Sequence, residues 1–210
     1  MIVVIDYGMG NLGSVAKALR YLGHDAVISR DPRHIAEAER LILPGVGAIH
    51  YAMSQLREHG LDEAIRRFLR HERPFLGICL GMQLMFETSE EGEAEGLAIL
   101  PGTVRRFPAM PGLKIPHMGW NQLIDNRSPL LSVQTDYYFV HSYYVEPADH
   151  RLVAAQARHG VSFTAAVQTG SILLTQFHPE KSGRAGLDLL DRWVRQSGQA
   201  ADQIKETTGQ

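Results

Sequence analysis

The sequence predicts an α/β protein with three layers, in which a mostly parallel central sheet carries antiparallel additions. The first observation is that strand-like and helical segments alternate regularly over residues 2–79. The second is that the strand-like segments are continuous apolar runs, a pattern typical of parallel strands buried on both faces. The third is that the residue pattern changes beyond residue 96, where short strand-like runs are separated by turn residues.

The first half of the chain supplies the parallel strands and the helices that connect them. Apolar segments predict strands at residues 2–5, 26–29, 40–43 and 75–79. Helical periodicity predicts helices at residues 12–22, 49–58 and 61–71, and a short helix after the Asp31-Pro32 pair. A stretch of helix-forming residues after Cys79 predicts one more helix, reaching Glu87.

The second half of the chain predicts the antiparallel additions and a last helix. The expected strands are residues 97–100, 104–107, 137–145, 152–157, 163–167 and 172–177. An amphipathic helix is predicted at residues 186–195. With neither a repeat nor a linker, residues 1–196 are expected to form a single domain, and residues 197–210 a frayed tail.

Composition and charge exclude several classes of protein. The 210 residues are 44% hydrophobic and 21% charged with a net charge of −2, which is typical of a globular protein and lacks the basic excess of a nucleic-acid binder. The single cysteine excludes an intrachain disulfide and a cysteine-built zinc site. Neither a signal peptide nor a membrane-spanning segment is predicted, so we expect a cytoplasmic protein. We expect no cofactor and no metal.

The stretch around Cys79 is the strongest functional signal in the sequence. Residues 77–81 read Gly-Ile-Cys-Leu-Gly, the cysteine counterpart of the Gly-x-Ser-x-Gly elbow between a strand and a helix. Such an elbow strains the backbone of its central residue and presents its side chain, here expected to be exposed, at a helix N-terminus that favours thiolate. The alternative is that Cys79 is a small buried apolar residue.

A glycine motif near the N-terminus suggests a competing function. Residues 8–13 match Gly-x-Gly-x-x-Gly between a strand and a helix, and Asp31 lies near the position of a ribose-binding acid. However, Asp6 and Tyr7 separate the strand from the glycines, and the chain offers no hydride-transfer site. A tight loop at the carboxyl edge of the sheet is the better interpretation.

Two further loops leave their roles open. Residues 44–47, Pro-Gly-Val-Gly, follow a predicted strand and could direct backbone N–H groups at an oxyanion, or could form only a turn. The acidic loop at residues 89–96 is expected to be a solvated surface, although one of its carboxylates could bind a substrate ammonium.

His178 is the histidine best placed to serve Cys79 as a base. It ends an apolar strand, Pro179 follows it, and Glu180 stands two residues on, where an extended segment would direct both side chains the same way. Cysteine, histidine and glutamate would then act as nucleophile, base and orienting group, whereas the alternative is an exposed turn. A solvated role is expected for His24, His34, His50, His59, His71, His150 and His159.

Three motifs together resemble the triad-type (class I) glutamine amidotransferases, which hydrolyse glutamine through a thioester. They are residues 77–83, 43–47 and 177–180. The resemblance implies a flavodoxin-like class I glutaminase fold with Cys79 as nucleophile, His178 as acid and base, and Glu180 orienting the imidazole. It implies an oxyanion hole from Leu80 and from Val46 and Gly47, and glutamine binding by Gln83, Glu91, Ser142 and Tyr143.

Within that family the chain is similar to the glutaminase subunits of imidazole glycerol phosphate synthase. The matching segments are residues 7–12, 114–121, 138–144 and 180–182. The sequence has no phosphate-binding loop, and the α/β domain takes up nearly all of its length, so we expect another polypeptide to use the ammonia. The resemblance implies that the partner is a (βα)8-barrel cyclase subunit, bound through Gly10, Asn11, Met118, Trp120, Asn121, Tyr138 and Lys181.

Three alternatives remain at this point. The chain could be the glutaminase subunit of another amidotransferase, in the purine or aminobenzoate pathway. It could also be a non-catalytic binding module of the same fold. Trp120 could be a core residue instead of an interface residue.

Overall fold

Six α-helices and thirteen strands make up residues 1–133 and 135–196, the part of the chain that the computed structural model describes. The helices are Leu12–Tyr21 (α1), Pro32–Glu37 (α2), Ile49–Glu58 (α3), Leu61–Leu69 (α4), Leu80–Gln83 (α5) and Gly183–Arg195 (α6). Among these residues no helix has the length and apolar character needed to cross a membrane. The expected tail, residues 197–210, lies outside the described part.

The strands form a nine-stranded and a four-stranded sheet. In chain order they are Ile2–Ile5 (β1), Ala26–Ser29 (β2), Arg40–Gly45 (β3), Phe75–Cys79 (β4), Phe86–Ser89 (β5), Ala94–Glu95 (β6), Leu100–Arg106 (β7), His117–Asn126 (β8), Asp136–His141 (β9), Tyr143–Pro147 (β10), Val153–His159 (β11), Val161–Thr169 (β12) and Ile172–Thr175 (β13). Short 3-10 helices occupy His150–Leu152 and Pro179–Lys181.

The large sheet combines a parallel half with an antiparallel half. Its order is β2-β1-β3-β4-β13-β12-β11-β8-β9, with parallel pairing from β2 to β13 and antiparallel pairing from β13 to β9. Strand β13 therefore lies beside β4, although almost a hundred residues separate them in the chain. This pairing brings the segment after β13 to the carboxyl end of β4, where Cys79 lies.

Helices cover both faces of the sheet and give the three layers that the sequence predicts. Alternate residues of β1 belong to different cores, because neighbouring side chains of a strand point to opposite faces. Ile2 and Val4 pack with α1 and α6, whereas Val3 and Ile5 pack with α2, α3 and α4. The fold class expected from the sequence is confirmed.

Several boundaries differ from the sequence expectation. The helix expected to reach Glu87 is a single turn, α5, and the chain then enters β5 of the four-stranded sheet, ordered β10-β7-β5-β6. The single strand expected at residues 137–145 divides near Ser142 into β9 and β10, which belong to different sheets. Strand β8 was not predicted, because its exposed face carries apolar residues and obscures the alternation.

Three glycines allow close packing of the backbone below Cys79. A Cβ atom on Gly81 would overlap the carbonyl oxygen of Leu43 in β3, and one on Gly77 would lie 2.9 Å from the Gly81 carbonyl oxygen. A Cβ atom on Gly45 would lie 2.9 Å from the Cβ of Leu80. The turn after β4 can therefore lie directly against β3 only because these side chains are absent.

Gly81→Ala is expected to destabilise the protein by about 3 kcal/mol or more, because the added methyl group meets backbone that cannot rotate away. Gly13→Ala in α1 is the matched control, since a Cβ atom there would have no neighbour within 4 Å. The control should leave stability unchanged or raise it by up to about 1 kcal/mol. Urea unfolding followed by circular dichroism measures both, and equal stability of the two variants would contradict the packing argument.

Candidate active site

Cys79 lies at the sharp turn between β4 and α5. Its backbone has φ 54° and ψ −107°, an unfavourable conformation for a residue other than glycine that costs about 1–3 kcal/mol. The thiol is less exposed than expected, since the residue is only 6% exposed. It nevertheless lines a cavity of about 230 Å³ at the carboxyl end of the sheet.

His178 and Glu180 form a buried ion pair near this turn. Nδ1 of His178 lies 2.9 Å from Oε1 of Glu180, and the two side chains are 2% and 1% exposed, so the alternative of an exposed turn is wrong. The segment is not the expected extended one, because a 3-10 helix begins at Pro179. Burial alone would lower the pKa of His178, but Cys79 and Glu180 together raise it to about 10.

The other ring nitrogen of His178 remains available for chemistry. Nε2 is buried and has no hydrogen-bond partner at normal distance among residues 1–133 and 135–196. Since the negative charge of a Cys79 thiolate contributes to the raised pKa of His178, the sulfur lies within electrostatic reach of the ring. The raised pKa keeps His178 charged at neutral pH within electrostatic reach of the Cys79 sulfur, which is the position of a base that serves a cysteine nucleophile.

Backbone hydrogen bonds attach the His178 segment to β9. The His178 N–H donates to the Tyr138 carbonyl oxygen at 2.9 Å, and the Tyr138 N–H donates to Oγ of Ser182, also at 2.9 Å. Ser182 Oγ donates in turn to the His178 carbonyl oxygen at 2.6 Å. The imidazole therefore keeps its position relative to β9.

The cavity beside Cys79 brings together most of the side chains that the resemblance singles out. It is lined by Val46, Gly47, Leu80, Gln83, Val140, His141, Ser142 and Tyr143. Glu91 is not among these wall residues. Its carboxylate accepts the Ile49 N–H at 3.0 Å and so caps α3, the helix that follows the Val46-Gly47 segment.

A hydrogen bond from Tyr7 fixes the position of the backbone at the end of β3, just before the Val46-Gly47 segment. The buried Tyr7 hydroxyl donates to the Pro44 carbonyl oxygen at 3.0 Å. From the same N-terminal loop, Met9 packs against Gly47, because a Cβ atom on that glycine would lie 2.5 Å from the methionine Cε. The segment expected to supply oxyanion donors is therefore in contact with the loop that contains Gly10 and Asn11.

Three of the residues expected at a partner interface, Trp120, Tyr138 and Lys181, lie close together. Trp120 of β8 stands edge-on to Tyr138 of β9, with ring centroids 5.8 Å apart, and Lys181 Nζ lies 6.0 Å from the Tyr138 ring centroid. Met118 and Trp120 are 64% and 58% exposed, so the alternative of a core tryptophan is wrong for Trp120. The tryptophan of the core is Trp193.

Sequence reasoning missed several polar residues near the cavity. Gln176 is fully buried, and its Nε2 donates to Cys79 Sγ at 3.6 Å. His117 and His141 are buried beside each other. His159 was expected to be solvated, but its ring stacks on that of His117 with a centroid distance of 4.3 Å. Only the pairing of β8 with β9 and β11 shows that these histidines meet.

The structure does not favour the dinucleotide alternative. In a dinucleotide fingerprint the third glycine permits close packing of helix and strand, yet Gly13 has open space where a side chain would be. Asp31, the candidate ribose-binding acid, instead caps α2 and pairs with Arg33. Residues 1–133 and 135–196 contain no group of histidine, cysteine or acidic side chains suited to hold a metal ion.

Comparison with known proteins decides the family. The family model for class-I glutamine amidotransferases matches residues 3–196. The chain belongs to the class-I glutamine amidotransferases. As a member of this family it is a glutamine-hydrolysing enzyme, and the fold and the family expected from the motifs are confirmed.

The family contains relatives that match nearly the full length of the chain. The chain is 48% identical over 207 residues to the imidazole glycerol phosphate synthase subunit HisH of Moorella thermoacetica, covering 95% of this chain and 98% of that protein. It is 50% identical over 200 residues to the subunit of the same name from Syntrophotalea carbinolica, covering 90% and 97%.

Solved amidotransferase structures share the fold at much lower identity. A glutamine amidotransferase crystal structure superposes with a TM-score of 0.70 at 21% identity, covering 92% of this chain and 96% of the other. A putative GMP synthase subunit from Thermoplasma acidophilum gives 0.69 at 21% identity, covering 92% and 91%.

Tyr7→Phe is expected to reduce kcat for glutamine several-fold with little change in KM, because it frees the Pro44 carbonyl beside the Val46-Gly47 segment. Loss of this hydrogen bond should also cost about 1 kcal/mol of stability. Steady-state glutaminase assays and urea unfolding test the two effects. Tyr21→Phe, at an exposed position, is the control, and an unchanged kcat in Tyr7→Phe would contradict the role assigned to the hydroxyl.

Proposed function

We propose that this chain is the glutaminase subunit of imidazole glycerol phosphate synthase in histidine biosynthesis. It hydrolyses L-glutamine to glutamate and ammonia and delivers the ammonia to a separate cyclase subunit, with which it forms a heterodimer. The cyclase uses the ammonia to form imidazole glycerol phosphate and the aminoimidazole carboxamide ribotide. The identity of 48% with a HisH subunit over nearly the whole chain is the observation that carries this proposal.

In the first half of the reaction, the Cys79 thiolate attacks the side-chain amide carbon of glutamine. The carbon–oxygen double bond becomes a single bond to an oxyanion, which the N–H groups of Leu80 and of the Val46-Gly47 segment stabilise. The Leu80 N–H suits this role because it belongs to the first turn of α5 and has no partner within the helix.

The leaving group and the second half of the reaction require His178. Its imidazolium gives a proton to the amide nitrogen as the carbon–nitrogen bond breaks, so that ammonia leaves and a thioester remains on Cys79. The neutral imidazole then removes a proton from water, which attacks the thioester and releases glutamate. Glu180 keeps the ring oriented throughout, because its Oε1 accepts a hydrogen bond from the Nδ1–H group, with 2.9 Å between the nitrogen and the oxygen.

Gln83, Ser142 and Tyr143 line the cavity and are proposed to hold the charged head group of glutamine. Glu91 is proposed to contribute from the N-terminal end of α3 when its carboxylate exchanges the Ile49 N–H for the substrate ammonium. A free amino acid needs such pairing of both charges to be selected over other amides.

The cyclase is proposed to dock on the surface formed by Met118, Trp120, Tyr138 and Lys181, together with Gly10 and Asn11. Asn121 adjoins this surface from the inner side of β8. Exposed aromatic and apolar side chains of this kind are the usual anchors of an interface. Met9 belongs to the same loop as Gly10 and Asn11, and it contacts Gly47. A cyclase bound to this loop can therefore change the position of the Val46-Gly47 segment, and we expect binding to accelerate glutamine hydrolysis.

A subunit of a purine or aminobenzoate amidotransferase is the main alternative. The likeness to a GMP synthase subunit concerns the fold alone, at 21% identity. A catalytically silent module is less well supported, because Cys79 lines a cavity and the buried His178–Glu180 pair lies within electrostatic reach of its sulfur. A thiol-directed glutamine analogue tests for a silent module, which would not be labelled at Cys79, whereas a pull-down of the cyclase separates the amidotransferase subunits from one another. We also propose a cytoplasmic location, which the single free cysteine supports.

Cys79→Ala is expected to lower glutamine-dependent synthesis by the complex at least about 10³-fold, because no nucleophile remains. Synthesis from added ammonium salt should continue at the parental rate, since the cyclase does not need the thiol. Cys79→Ser keeps the size of the side chain and should show the same pattern. Loss of the ammonia-dependent rate in both variants would mean that the cysteine is structural.

Trp120→Ala is expected to weaken binding of the cyclase about 30-fold, the effect of losing an anchor worth about 2 kcal/mol. Calorimetric titration measures the affinity, and a glutaminase assay over a range of cyclase concentrations measures the stimulation. Ile28→Ala is the control, because Ile28 is exposed on β2, at the opposite edge of the nine-stranded sheet from β8 and β9. Equal affinities for both variants would place the interface elsewhere.

A further inference from the structure

A chain of hydrogen bonds leads from β8 to the wall of the glutamine cavity. Asn121 Nδ2 lies 3.2 Å from His117 Nε2, and His117 Nδ1 lies 3.1 Å from His141 Nε2. His141 Nδ1 lies 2.7 Å from the Tyr143 carbonyl oxygen. Both histidines are buried, and the mechanism assigns neither of them a role.

The partners at the two ends of this chain fix the position of every proton. The Tyr143 carbonyl can only accept, so His141 carries its proton on Nδ1 and, when neutral, accepts at Nε2. His117 must then donate from Nδ1 and accept at Nε2, where the Asn121 amide nitrogen donates. The Asn121 orientation is fixed independently, because the same nitrogen donates to the Arg158 carbonyl oxygen at 2.9 Å.

Both histidines are neutral, as this pattern requires. Burial lowers the pKa of His117 to about 4, with a smaller contribution from His159. Burial also lowers the pKa of His141 to about 3, against the opposing effect of the hydrogen bond to Tyr143. His159 does not compete for the chain, because its Nε2 is paired with the Lys114 carbonyl oxygen at 2.8 Å.

The chain continues from Tyr143 to the nucleophile. The Tyr143 carbonyl oxygen also accepts from Gln83 Nε2 at 3.0 Å, so two donors fix its direction. The same Gln83 nitrogen donates to Gln176 Oε1 at 3.1 Å, and Gln176 Nε2 donates to Cys79 Sγ at 3.6 Å. A shift of the Tyr143 carbonyl would therefore move a wall of the cavity and a donor to the sulfur.

The other end of the chain lies behind the proposed docking surface. Side chains of β8 alternate between faces, so Met118 and Trp120 are exposed, whereas His117 is buried and Asn121 half-buried behind them. A partner that presses on the exposed face contacts the residues directly adjacent to His117 and Asn121. The proposed docking surface on β8 is thus connected to the cavity through the side chains of His117 and His141.

We propose that His117 and His141 are positioning residues that couple docking of the cyclase on β8 to the geometry of the glutamine cavity. This inference rests on the proposed function. It predicts that breaking the chain reduces the stimulation of glutamine hydrolysis by the cyclase while the cyclase still binds and still uses added ammonia.

Two substitutions at His117 break different links of the chain. In His117→Asn the amide nitrogen replaces Nδ1 and can still donate to His141, but the acceptor for Asn121 is lost. In His117→Gln the side-chain oxygen replaces Nε2 and can still accept from Asn121, but the donor to His141 is lost. Both variants should lower the stimulation factor at least about fivefold, the lower range of typical coupling between sites. His117→Gln should also raise KM for glutamine, because His141 Nε2 then loses its donor and the ring is held only at Nδ1.

The control is His159→Gln, which retains the donor to the Lys114 carbonyl and lies outside the chain, so stimulation should stay at the parental level. Asn121→Asp, which removes the amide donor from a half-buried position, provides a second break if a His117 variant does not fold. Nitrogen-15 NMR of the parent protein should show both buried histidines neutral with the proton on Nδ1.

Parental stimulation in folded His117→Asn, His117→Gln and Asn121→Asp variants would overturn the inference, as would a proton on Nε2 of either histidine. Failure of the proposed function would give a different result. In that case the parent complex itself would show neither stimulation by the cyclase nor ammonia-dependent synthesis.

Discussion

The close contact between the Gly81 backbone and the Leu43 carbonyl is the constraint on which the site depends. It lets the chain reverse within one residue after β4, so that Cys79 takes a positive φ of 54° and α5 begins at once. A longer turn would carry the sulfur away from the sheet edge. The strain of about 1–3 kcal/mol at Cys79 is held by the pairing of β4 with β3 and β13 on either side.

The same sheet order determines the position of His178, the proposed base. Strand β13 pairs with β4, and the segment after β13 is attached through the His178 N–H to the carbonyl of Tyr138 in β9. Since β9 pairs with β8, the imidazole, the proposed docking surface and the cavity wall belong to one hydrogen-bonded unit. A partner on β8 is therefore near the chemistry without needing to touch it.

The sequence predicted the parts of this site that depend on local chain geometry. Glycines on both sides of Cys79 indicate an elbow wherever it occurs, and the proline after His178 ends a strand in any setting. It did not predict Tyr7, Gln176 or the His117–His141 pair, because their partners lie 24 or more residues away. Helix α5 was predicted too long for a similar reason: tertiary pairing of β5 with β7 outweighs local helix propensity.

The histidines near the cavity show how the fold confines the proton to one ring. His178 has a carboxylate on Nδ1 and the Cys79 sulfur within electrostatic reach, and its pKa rises to about 10. His141 has only neutral partners, the Tyr143 carbonyl and the His117 ring, and burial lowers its pKa to about 3, helped by the charges of nearby histidines. With such opposite shifts, a proton that reaches His178 cannot pass to His141 at neutral pH. The opposite shifts support His178 as the proposed acid and base, and they leave His141 as a neutral residue in the wall of the cavity.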